Sequence, residues 1–257
     1  MLTVISPAKR LDDAATLPNG FSATQPIFGD DAATLAAVAR KLSASKLRKL
    51  MDISEPLAKL NVSRFATFDA AETKPAALFF AGDTYAGLEA KTLDPDALAW
   101  AQTHLRILSG LYGLLRPLDE IKAYRLEMGS KLKNRRGPDL YAYWRRQIAP
   151  ALNEIAGDTS ARALINCASI EYFGAVDTSK LAVPVITPTF LEEKNGEAKI
   201  ISFFAKKARG AMARFIAENH LINPESLKDF RSGGYVFQPA RSTPENPVFM
   251  RPAPNAP

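Results

Sequence analysis

Residues 104–129 read HLRILSGLYGLLRPLDEIKAYRLEMG, and they carry the clearest folding signal in the chain. The apolar run at residues 105–108 predicts a short buried strand. Ser109 and Gly110 follow as a turn, and residues 111–113 lead into a basic segment. Small residues let the backbone approach a ligand closely, and arginine binds phosphate or carboxylate through paired hydrogen bonds. This stretch therefore predicts a strand and a turn beside a surface that holds an anion.

Short apolar runs and helical patterns alternate irregularly over residues 1–237. The strand candidates are residues 2–5, 77–81, 105–108, 163–167, 183–187, 199–204 and 235–237. The helix candidates are residues 31–42, 45–51, 55–65, 95–103, 139–155 and 205–219. Asn195-Gly196 between two strand-like runs indicates a two-residue hairpin, so part of the sheet should be antiparallel. We expect a mixed α/β fold in which one mixed sheet is flanked by helices, rather than a strictly doubly wound fold.

The domain organisation is expected to be simple. The chain has 257 residues, of which 47% are apolar and 23% are charged, as in ordinary globular proteins. No long Gly-, Ser- or Pro-rich linker interrupts residues 1–235, so we expect a single compact domain over residues 1–238. Residues 239–257 are rich in proline, and we expect them to form a partly disordered tail.

The composition also disfavours several classes of protein. No run approaches the roughly 20 apolar residues of a membrane span, and the N-terminus lacks the pattern of a secretory signal. The single cysteine excludes an internal disulfide, which fits the reducing cytoplasm. Two histidines and one cysteine are too few for an ordinary zinc or iron site. We therefore expect a cytoplasmic protein that contacts no membrane, binds no metal directly and uses no cofactor.

The positive charge is concentrated in one part of the sequence. The formal net charge is +6, and residues 106–146 hold ten basic and four acidic side chains, which gives 10 − 4 = +6. A concentrated positive field attracts polyanions such as DNA, whereas solvated helix faces would carry the same charges without a partner. The side chains predicted to bind nucleic acid or phosphate are Lys9, Lys46, Arg48, Lys49, Arg116, Arg125, Lys206, Lys207 and Arg209.

Polar motifs follow three of the predicted strands, where α/β proteins commonly place ligand-binding groups. These motifs are SPAKR at residues 6–10, GDTYAG at residues 82–87 and NCASIEY at residues 166–172. The second lacks the glycine spacing of a dinucleotide-binding loop and the lysine of a P-loop. If the protein is an enzyme, the catalytic candidates are Lys9, Asp83, Tyr85, Asn166, Ser169 and Glu171. For Lys9, an ordinary surface position on a loop is the alternative.

Two further segments are candidates for anion binding. The motif FFAKKARG at residues 203–210 is expected to pass from a strand into a helix with three cations in the first turn. The helix dipole disfavours cations there, and such a conflict is typical of a functional site. Residues 45–65 predict two short helices joined by a tight turn, which suits contact with a DNA backbone. An ordinary helical hairpin that covers the sheet is the alternative for this pair.

Several of these motifs resemble one known family. SPAK, GDTYAGL, LSGLYGLLRPL, YRLEMG, NCASIEYF and FFAKKARG occur in order over residues 1–235 and are similar to the YaaA peroxide-stress resistance family. The resemblance implies a cytoplasmic protein that limits unincorporated iron and so protects against hydrogen peroxide. It also implies a mixed α/β fold with a helix-hairpin-helix element and a positive cleft that binds DNA. Residues 45–65 are the candidate for that element, and residues 108–113 are the competitor.

Two functions follow as hypotheses. The first is non-sequence-specific binding of duplex or distorted DNA, in which basic side chains neutralise phosphates and Tyr112, Tyr124 or Tyr141 stacks on exposed bases. The second is an enzyme that acts on a nucleotide, a nucleobase or a phosphorylated small molecule in a cleft at the strand ends. A deep pocket that gathers the polar motifs would favour the enzyme, and a broad basic groove would favour the DNA-binding protein.

Overall fold

The computed structural model describes residues 1–253. The strands are β1 (Leu2–Ile5), β2 (Arg10–Leu11), β3 (Thr73–Pro75), β4 (Phe80–Ala81), β5 (Leu105–Ser109), β6 (Gly113–Leu115), β7 (Glu120–Lys122), β8 (Leu164–Cys167), β9 (Val185–Ile186), β10 (Thr189–Lys194), β11 (Glu197–Lys199), β12 (Val236–Phe237) and β13 (Val248–Pro252).

The helices complete the element order. They are α1 (Gly29–Arg40), α2 (Ala44–Met51), α3 (Glu55–Ala66), α4 (Ala76–Phe79), α5 (Asp83–Leu88), α6 (Pro95–His104), α7 (Leu140–Trp144), α8 (Ile148–Asp158), α9 (Ile170–Phe173) and α10 (Ser202–Glu218). Short 3₁₀ turns lie at Phe68–Ala70, Ala90–Thr92, Thr178–Lys180, Pro224–Asp229, Ser232–Gly234 and Pro239–Arg241. Within residues 1–253, no helix combines the length and the apolar character that crossing a membrane requires.

The main sheet has five strands in the order β6-β5-β1-β8-β9. Strand β1 lies at its centre and pairs in parallel with β5 and β8, so that Thr3 aligns with Leu105 on one side and with Ile165 on the other. Every residue of β1 is buried, as expected for a parallel strand covered on both faces. Together with the flanking helices, this sheet confirms the expected mixed α/β fold in a single compact domain.

Residues 105–115 form a strand, a turn and an antiparallel return strand. Strand β5 pairs with β6, and Ser109 aligns with Gly113. Gly113 has φ +68°, and a Cβ there would lie 2.7 Å from the ring of Trp144. The indole Nε1 of Trp144 donates a hydrogen bond to the carbonyl of Gly110 at 3.0 Å. The turn is therefore fixed by an indole that leaves no room for a larger residue at position 113.

A second sheet has the order β11-β10-β13-β12. The predicted Asn195-Gly196 hairpin is confirmed, because β10 and β11 are antiparallel and both turn residues have positive φ, 55° and 80°. The strand expected at residues 199–204 ends at Lys199, and α10 begins at Ser202. Ala205, Ala208 and Met212 are buried at helical spacing, and this apolar face favours a helix over a strand at the start of the segment.

The proline-rich segment differs from its expected form. Residues 248–252 are not part of a disordered tail: β13 lies between β10, to which it is parallel, and β12, to which it is antiparallel. The ring of Phe249 is buried and lies 5.6 Å from the rings of Phe190 and Phe230. The apolar residues 248–250 lie among prolines, which hid their strand pattern. Because β13 pairs with β10 and β12, the boundary expected at residue 238 does not separate a domain from a tail. Residues 254–257 of that expected tail lie outside the described residues.

Two other elements were predicted with the wrong form. The strand expected at residues 77–81 is the helical turn α4 followed by the two-residue strand β4. The single helix expected at residues 139–155 is divided into α7 and α8. Pro150 lies in the first turn of α8, where proline is tolerated, whereas in a continuous helix it would lie in the interior and break a hydrogen bond.

Candidate functional site

A cleft of about 550 Å³ opens at the carboxyl ends of β1 and β8. These two strands are adjacent and parallel, but the chain continues from β1 toward β5 on one side and from β8 toward β9 on the other. Such a reversal of strand order leaves a crevice beyond the strand ends, and ligands of open α/β sheets commonly bind there. The location of the cleft is therefore that of a ligand-binding site.

Hydrogen bonds between two serines form the floor of the cleft. The backbone N–H of Ser169 donates to Ser6 Oγ at 2.8 Å, and Ser6 Oγ donates to Ser169 Oγ at 3.3 Å. Asn166 is buried, and its Oδ1 accepts a hydrogen bond from the N–H of Ala168 at 3.0 Å. The Tyr85 hydroxyl donates to the carbonyl of Ser6 at 3.2 Å. These bonds hold the two strand ends in a fixed position relative to each other.

The basic wall of the cleft comes from α10 and the loop after β1. Lys206 and Arg209 are three residues apart on α10, so both side chains face the cleft. Burial lowers the pKa of Arg209, whose guanidinium is only partly exposed. Among residues 1–253, neither Lys206 nor Arg209 has a carboxylate within 4.0 Å. Arg10 also lines the cleft and is exposed.

The acidic side of the cleft holds two carboxylates. Asp83 lies in the first turn of α5. Glu171 lies on α9, where its Oε1 accepts a hydrogen bond from the N–H of Gly129 at 3.0 Å. Four cationic side chains, Lys9, Arg10, Lys206 and Arg209, and two carboxylates therefore line the cleft.

Two glycines determine the distance between α5 and α10. A Cβ on Gly87 would lie 1.9 Å from the carbonyl oxygen of Lys207, and a Cβ on Gly210 would lie 1.7 Å from the carbonyl oxygen of Thr84. Both distances are far below any van der Waals contact, so only glycine allows this approach of two backbones. The contact places the start of α5, with Asp83, beside Lys206 and Arg209 on α10.

Comparison with known proteins agrees with this architecture and with the motifs. A family model described as peroxide stress protein YaaA matches residues 1–241. The chain belongs to this family. A UPF0246 protein of Cereibacter sphaeroides strain ATCC 17025 is 62% identical over 257 residues, which cover 98% of this chain and 100% of the relative. A UPF0246 protein of Dinoroseobacter shibae is 60% identical over 260 residues, which cover 100% of this chain and 97% of the relative.

Family membership assigns a role to the chain. The description of the family confirms the resemblance seen in the motifs and supports a role in peroxide stress. The names of the two relatives state no activity. The chemistry of this family member is therefore argued from its own residues.

The cleft collects side chains from four separate sequence motifs. The predicted residues that line it are Lys9, Asp83, Ser169, Glu171, Lys206 and Arg209. Tyr85 and Asn166 lie beneath the cleft: both are buried and support its floor through the hydrogen bonds given above. Lys207 points away from the cleft and lines a second groove with Phe203 and Arg214. Four residues of the three motifs predicted to follow strands, Lys9, Asp83, Ser169 and Glu171, thus line one cleft together with Lys206 and Arg209 of α10.

Lys9 is held by an ion pair at the edge of the cleft. Its Nζ lies 3.5 Å from Glu127 Oε1, and its side chain is 63% exposed. Burial is what would activate a lysine as a nucleophile, and Lys9 is not buried. Glu127 also pairs with Arg125, whose Nε lies 2.9 Å from the same oxygen. Lys9 is therefore placed as a cation at the rim, and the charge of Arg125 is offset by a neighbouring carboxylate.

The basic segment at residues 106–146 does not form one free positive surface. Arg106 is buried, and this burial lowers its pKa to about 10. The Nε of Arg116 lies 3.0 Å from Asp119 Oδ1, and its Nη2 donates to the carbonyl of Gln25 at 2.9 Å. Arg136 and Arg145 form ion pairs with Asp31 and Asp177. Lys131, Lys133, Arg135 and Arg146 are exposed and have no carboxylate within 4.0 Å among residues 1–253, so the charge count along the sequence holds for only part of this segment.

The tyrosines expected to stack on bases are largely unable to do so. Tyr112 and Tyr124 are buried, and burial raises the pKa of Tyr112 to about 12. The hydroxyl of Tyr112 accepts a hydrogen bond from the N–H of Lys122 at 3.0 Å. Tyr124 and Ser109 share a hydrogen bond of 2.6 Å between their hydroxyls. Tyr112 and Tyr124 are therefore core residues, and the expectation that they contact bases is wrong.

The cations of α10 do not oppose the helix dipole as expected. Because α10 begins at Ser202, Lys206 and Arg209 lie beyond its first turn, where the dipole has little effect. The expected conflict between these cations and the helix dipole is therefore absent. These side chains are nevertheless in the cleft, because α5 packs against this part of α10.

The helix pair predicted at residues 45–65 is present as α2 and α3. A turn of three residues joins these helices, and Asp52 adopts a left-handed conformation with φ 49°. The competing segment at residues 108–113 is excluded, because it forms the turn between β5 and β6. Lys46, Arg48 and Lys49 are exposed on α2 and do not line the cleft.

Two features of the site were not found from the sequence. Ile170 lines the cleft and is 94% exposed, but the sequence singled out only its polar neighbours. The Gly87–Gly210 contact depends on which helices cross, and sequence periodicity does not give that information.

As for metals, residues 1–253 contain no group of three or more His, Cys, Asp and Glu side chains arranged to hold an ion.

Proposed function

We propose that the chain is a non-sequence-specific DNA-binding protein of the peroxide stress response that takes up DNA phosphates in the cleft, and that it thereby protects against damage by hydrogen peroxide and iron. The observation that carries this proposal is the pair Lys206 and Arg209 at the strand ends, without a carboxylate within 4.0 Å among residues 1–253. Cations in this position are available to neutralise phosphates.

The lining of the cleft accounts for the absence of sequence specificity. Phosphate contacts position a protein on nucleic acid but carry no sequence information, which is read from base edges. Lys9, Arg10, Lys206 and Arg209 supply the charges for such contacts. The exposed cations Lys46, Arg48 and Lys49 on α2 offer further contacts with the DNA backbone.

The size of the cleft favours distorted DNA over regular duplex. Its volume of about 550 Å³ lies within the range of roughly 300–1,000 Å³ that is typical of small-ligand sites. One or two nucleotides fit in such a space, whereas the body of a duplex does not. Nucleotides enter confined sites when they are unpaired or extruded from the stack. We therefore expect a bubble or a single strand to bind more tightly than an intact duplex.

Salt-titrated binding of fluorescent DNA tests this proposal. Wild type, Lys206→Glu and Arg209→Glu are compared with Lys207→Glu, which is the matched control because Lys207 is exposed on the same helix but faces another groove. Each change lowers the net charge by two, from +6 to +4. Loss of one phosphate contact should reduce the salt slope by about 1 and weaken binding about tenfold. The control should retain most of the affinity.

Three results would contradict the proposal. Wild type could fail to bind any DNA form, or its affinity could stay constant between about 50 and 200 mM salt. The third result is an equal loss in all three variants, which would show that total charge rather than the cleft determines binding.

A second candidate function, an enzyme, is favoured by three properties of the cleft: its volume in the small-ligand range, the gathering of the polar motifs in it, which is the geometry expected of an enzyme, and its acidic side. Asp83, Ser169 and Glu171 lie in the same space as the cations, and phosphate binding alone does not need them. This arrangement fits an enzyme that acts on a nucleotide, a nucleobase or a phosphorylated small molecule. Incubation with a panel of nucleoside phosphates tests it: turnover that Asp83→Asn abolishes, with DNA binding retained, would favour this candidate.

A further inference from the structure

The exposure of Ile170 is unusual for its position. This isoleucine is the first residue of α9 and is 94% exposed, and it borders a cleft that four cationic and two carboxylate side chains also line. Single apolar residues on a surface need no explanation by themselves. Ile170, however, lines the same cleft as the proposed phosphate-binding side chains Lys206 and Arg209.

The backbone that carries Ile170 is held on three sides. The N–H of Ser169 donates to Ser6 Oγ at 2.8 Å, which ties α9 to the end of β1. The carboxylate of Glu171 accepts from the N–H of Gly129 at 3.0 Å, and the carbonyl of Glu171 accepts from the Tyr141 hydroxyl at 2.9 Å. The exposed side chain therefore stands on a rigid support rather than on a loose loop.

We propose that Ile170 is an apolar wedge that inserts between neighbouring bases of distorted DNA while Lys206 and Arg209 hold an adjacent phosphate. Proteins that bend or open DNA commonly insert isoleucine, leucine, phenylalanine or methionine into a base step. Unstacking is least costly where pairing is already lost, so a wedge adds preference for bubbles and mismatches over regular duplex. This inference rests on the proposed DNA-binding function and assigns a residue to its specificity for DNA form.

The charges around Ile170 favour nucleic acid over an apolar partner. Lys206, Arg209 and Lys9 border the same cleft, and their field attracts phosphates. A wedge contributes most when it is already in position before binding, because the entropic cost of ordering a flexible loop would offset the binding free energy of insertion. The hydrogen bonds of Ser169 and Glu171 provide this arrangement in advance.

The test compares Ile170→Ser with Ile222→Ser in the full chain. Ile222 is the matched control, since it is 74% exposed but lies in the loop after α10. Two probes are used: an intact duplex, and the same duplex with a two-nucleotide bubble and 2-aminopurine next to it. Ile170→Ser should weaken bubble binding about tenfold and remove the rise in 2-aminopurine fluorescence, with duplex binding nearly unchanged. Ile170→Leu should restore both signals, and Ile222→Ser should resemble wild type.

The outcomes separate this inference from the function on which it depends. If wild type binds no DNA, the proposed function fails. If wild type binds DNA and Ile170→Ser matches it in affinity and fluorescence, the wedge is refuted while the function stands. An equal loss on bubble and duplex would also refute the wedge, because it would show a general contact. Weakened binding of a nucleoside monophosphate together with unchanged DNA binding would assign Ile170 to a small-molecule site instead.

Discussion

The contact between α5 and α10 makes a strong prediction for Gly210→Ala. The new Cβ would lie 1.7 Å from the carbonyl oxygen of Thr84, whereas ordinary contact begins at 3.4 Å. The two helices must therefore separate by up to 3.4 − 1.7 = 1.7 Å, or their backbones must deform. The obstacle is a backbone carbonyl rather than a flexible side chain, so local rearrangement cannot remove the clash.

The size of the effect follows from two opposing contributions. Overpacking costs about 1–3 kcal/mol, and a clash between backbones lies at the upper end of this range. Alanine gains about 1 kcal/mol over glycine in helix propensity, so the net loss is about 2 kcal/mol. In a chain of this length, such a loss lowers Tm by about 4–8 °C. The separation also moves Lys206 and Arg209 away from α5, so DNA binding should weaken in the folded variant.

Thermal unfolding followed by circular dichroism measures the first effect, and fluorescence anisotropy measures the second. Gly157→Ala is the control, because Gly157 lies in α8 and a Cβ there meets no atom within 4 Å. This control should be as stable as wild type or up to about 1 kcal/mol more stable. If Gly210→Ala unfolds at the wild-type temperature, α5 and α10 are not in backbone contact, and our account of how the cleft is formed is wrong.

Two further predictions concern polar and titratable groups outside the cleft. Glu192→Ala should cost about 3 kcal/mol in unfolding by denaturant, because it leaves the buried Tyr235 and the partly buried Arg251 without their carboxylate; an unchanged midpoint would contradict the structural role of this network. Burial lowers the pKa of His104 beside Trp100, so the unfolded chain binds the proton more readily and stability should fall as the pH drops below about 6.5. His104→Phe should flatten that part of the pH dependence of the denaturant midpoint, and an unaltered curve would exclude His104 as its source.

Strands at the centre of the main sheet were readable from the sequence. The runs that became β1, β5 and β8 are mostly apolar, apart from Thr3, Arg106, Ser109 and Asn166, because parallel strands are buried on both faces. Residues 77–81 misled the same argument, since a short apolar run does not distinguish a strand from a buried helical turn. The strand β13 was missed because its few apolar residues lie between prolines.

The candidate site was predictable where topology determines it. Lys9 and Ser169 follow the adjacent parallel strands β1 and β8, whose ends meet at one edge of the main sheet, so their convergence followed from strand order alone. Asp83 follows β4, which belongs to a separate two-stranded sheet, and its place in the cleft did not follow from strand order. Which basic side chains lack a carboxylate partner was not predictable in this way. Arg116 and Arg125 have carboxylate partners two or three residues away, and only side-chain geometry shows that these pairs form.

The position of β13 has a consequence for how the protein matures in the cell. Arg251 aligns with Glu192, so β10 pairs with a strand that is synthesised 59 residues later. Domains fold as units during synthesis, at about 5–20 residues per second, and this sheet cannot close until residues 248–252 have left the exit tunnel. A nascent chain arrested earlier would display the unpaired edge of β10 and the uncovered ring of Phe190 to chaperones and proteases. Quality control can therefore recognise truncated copies by that open edge.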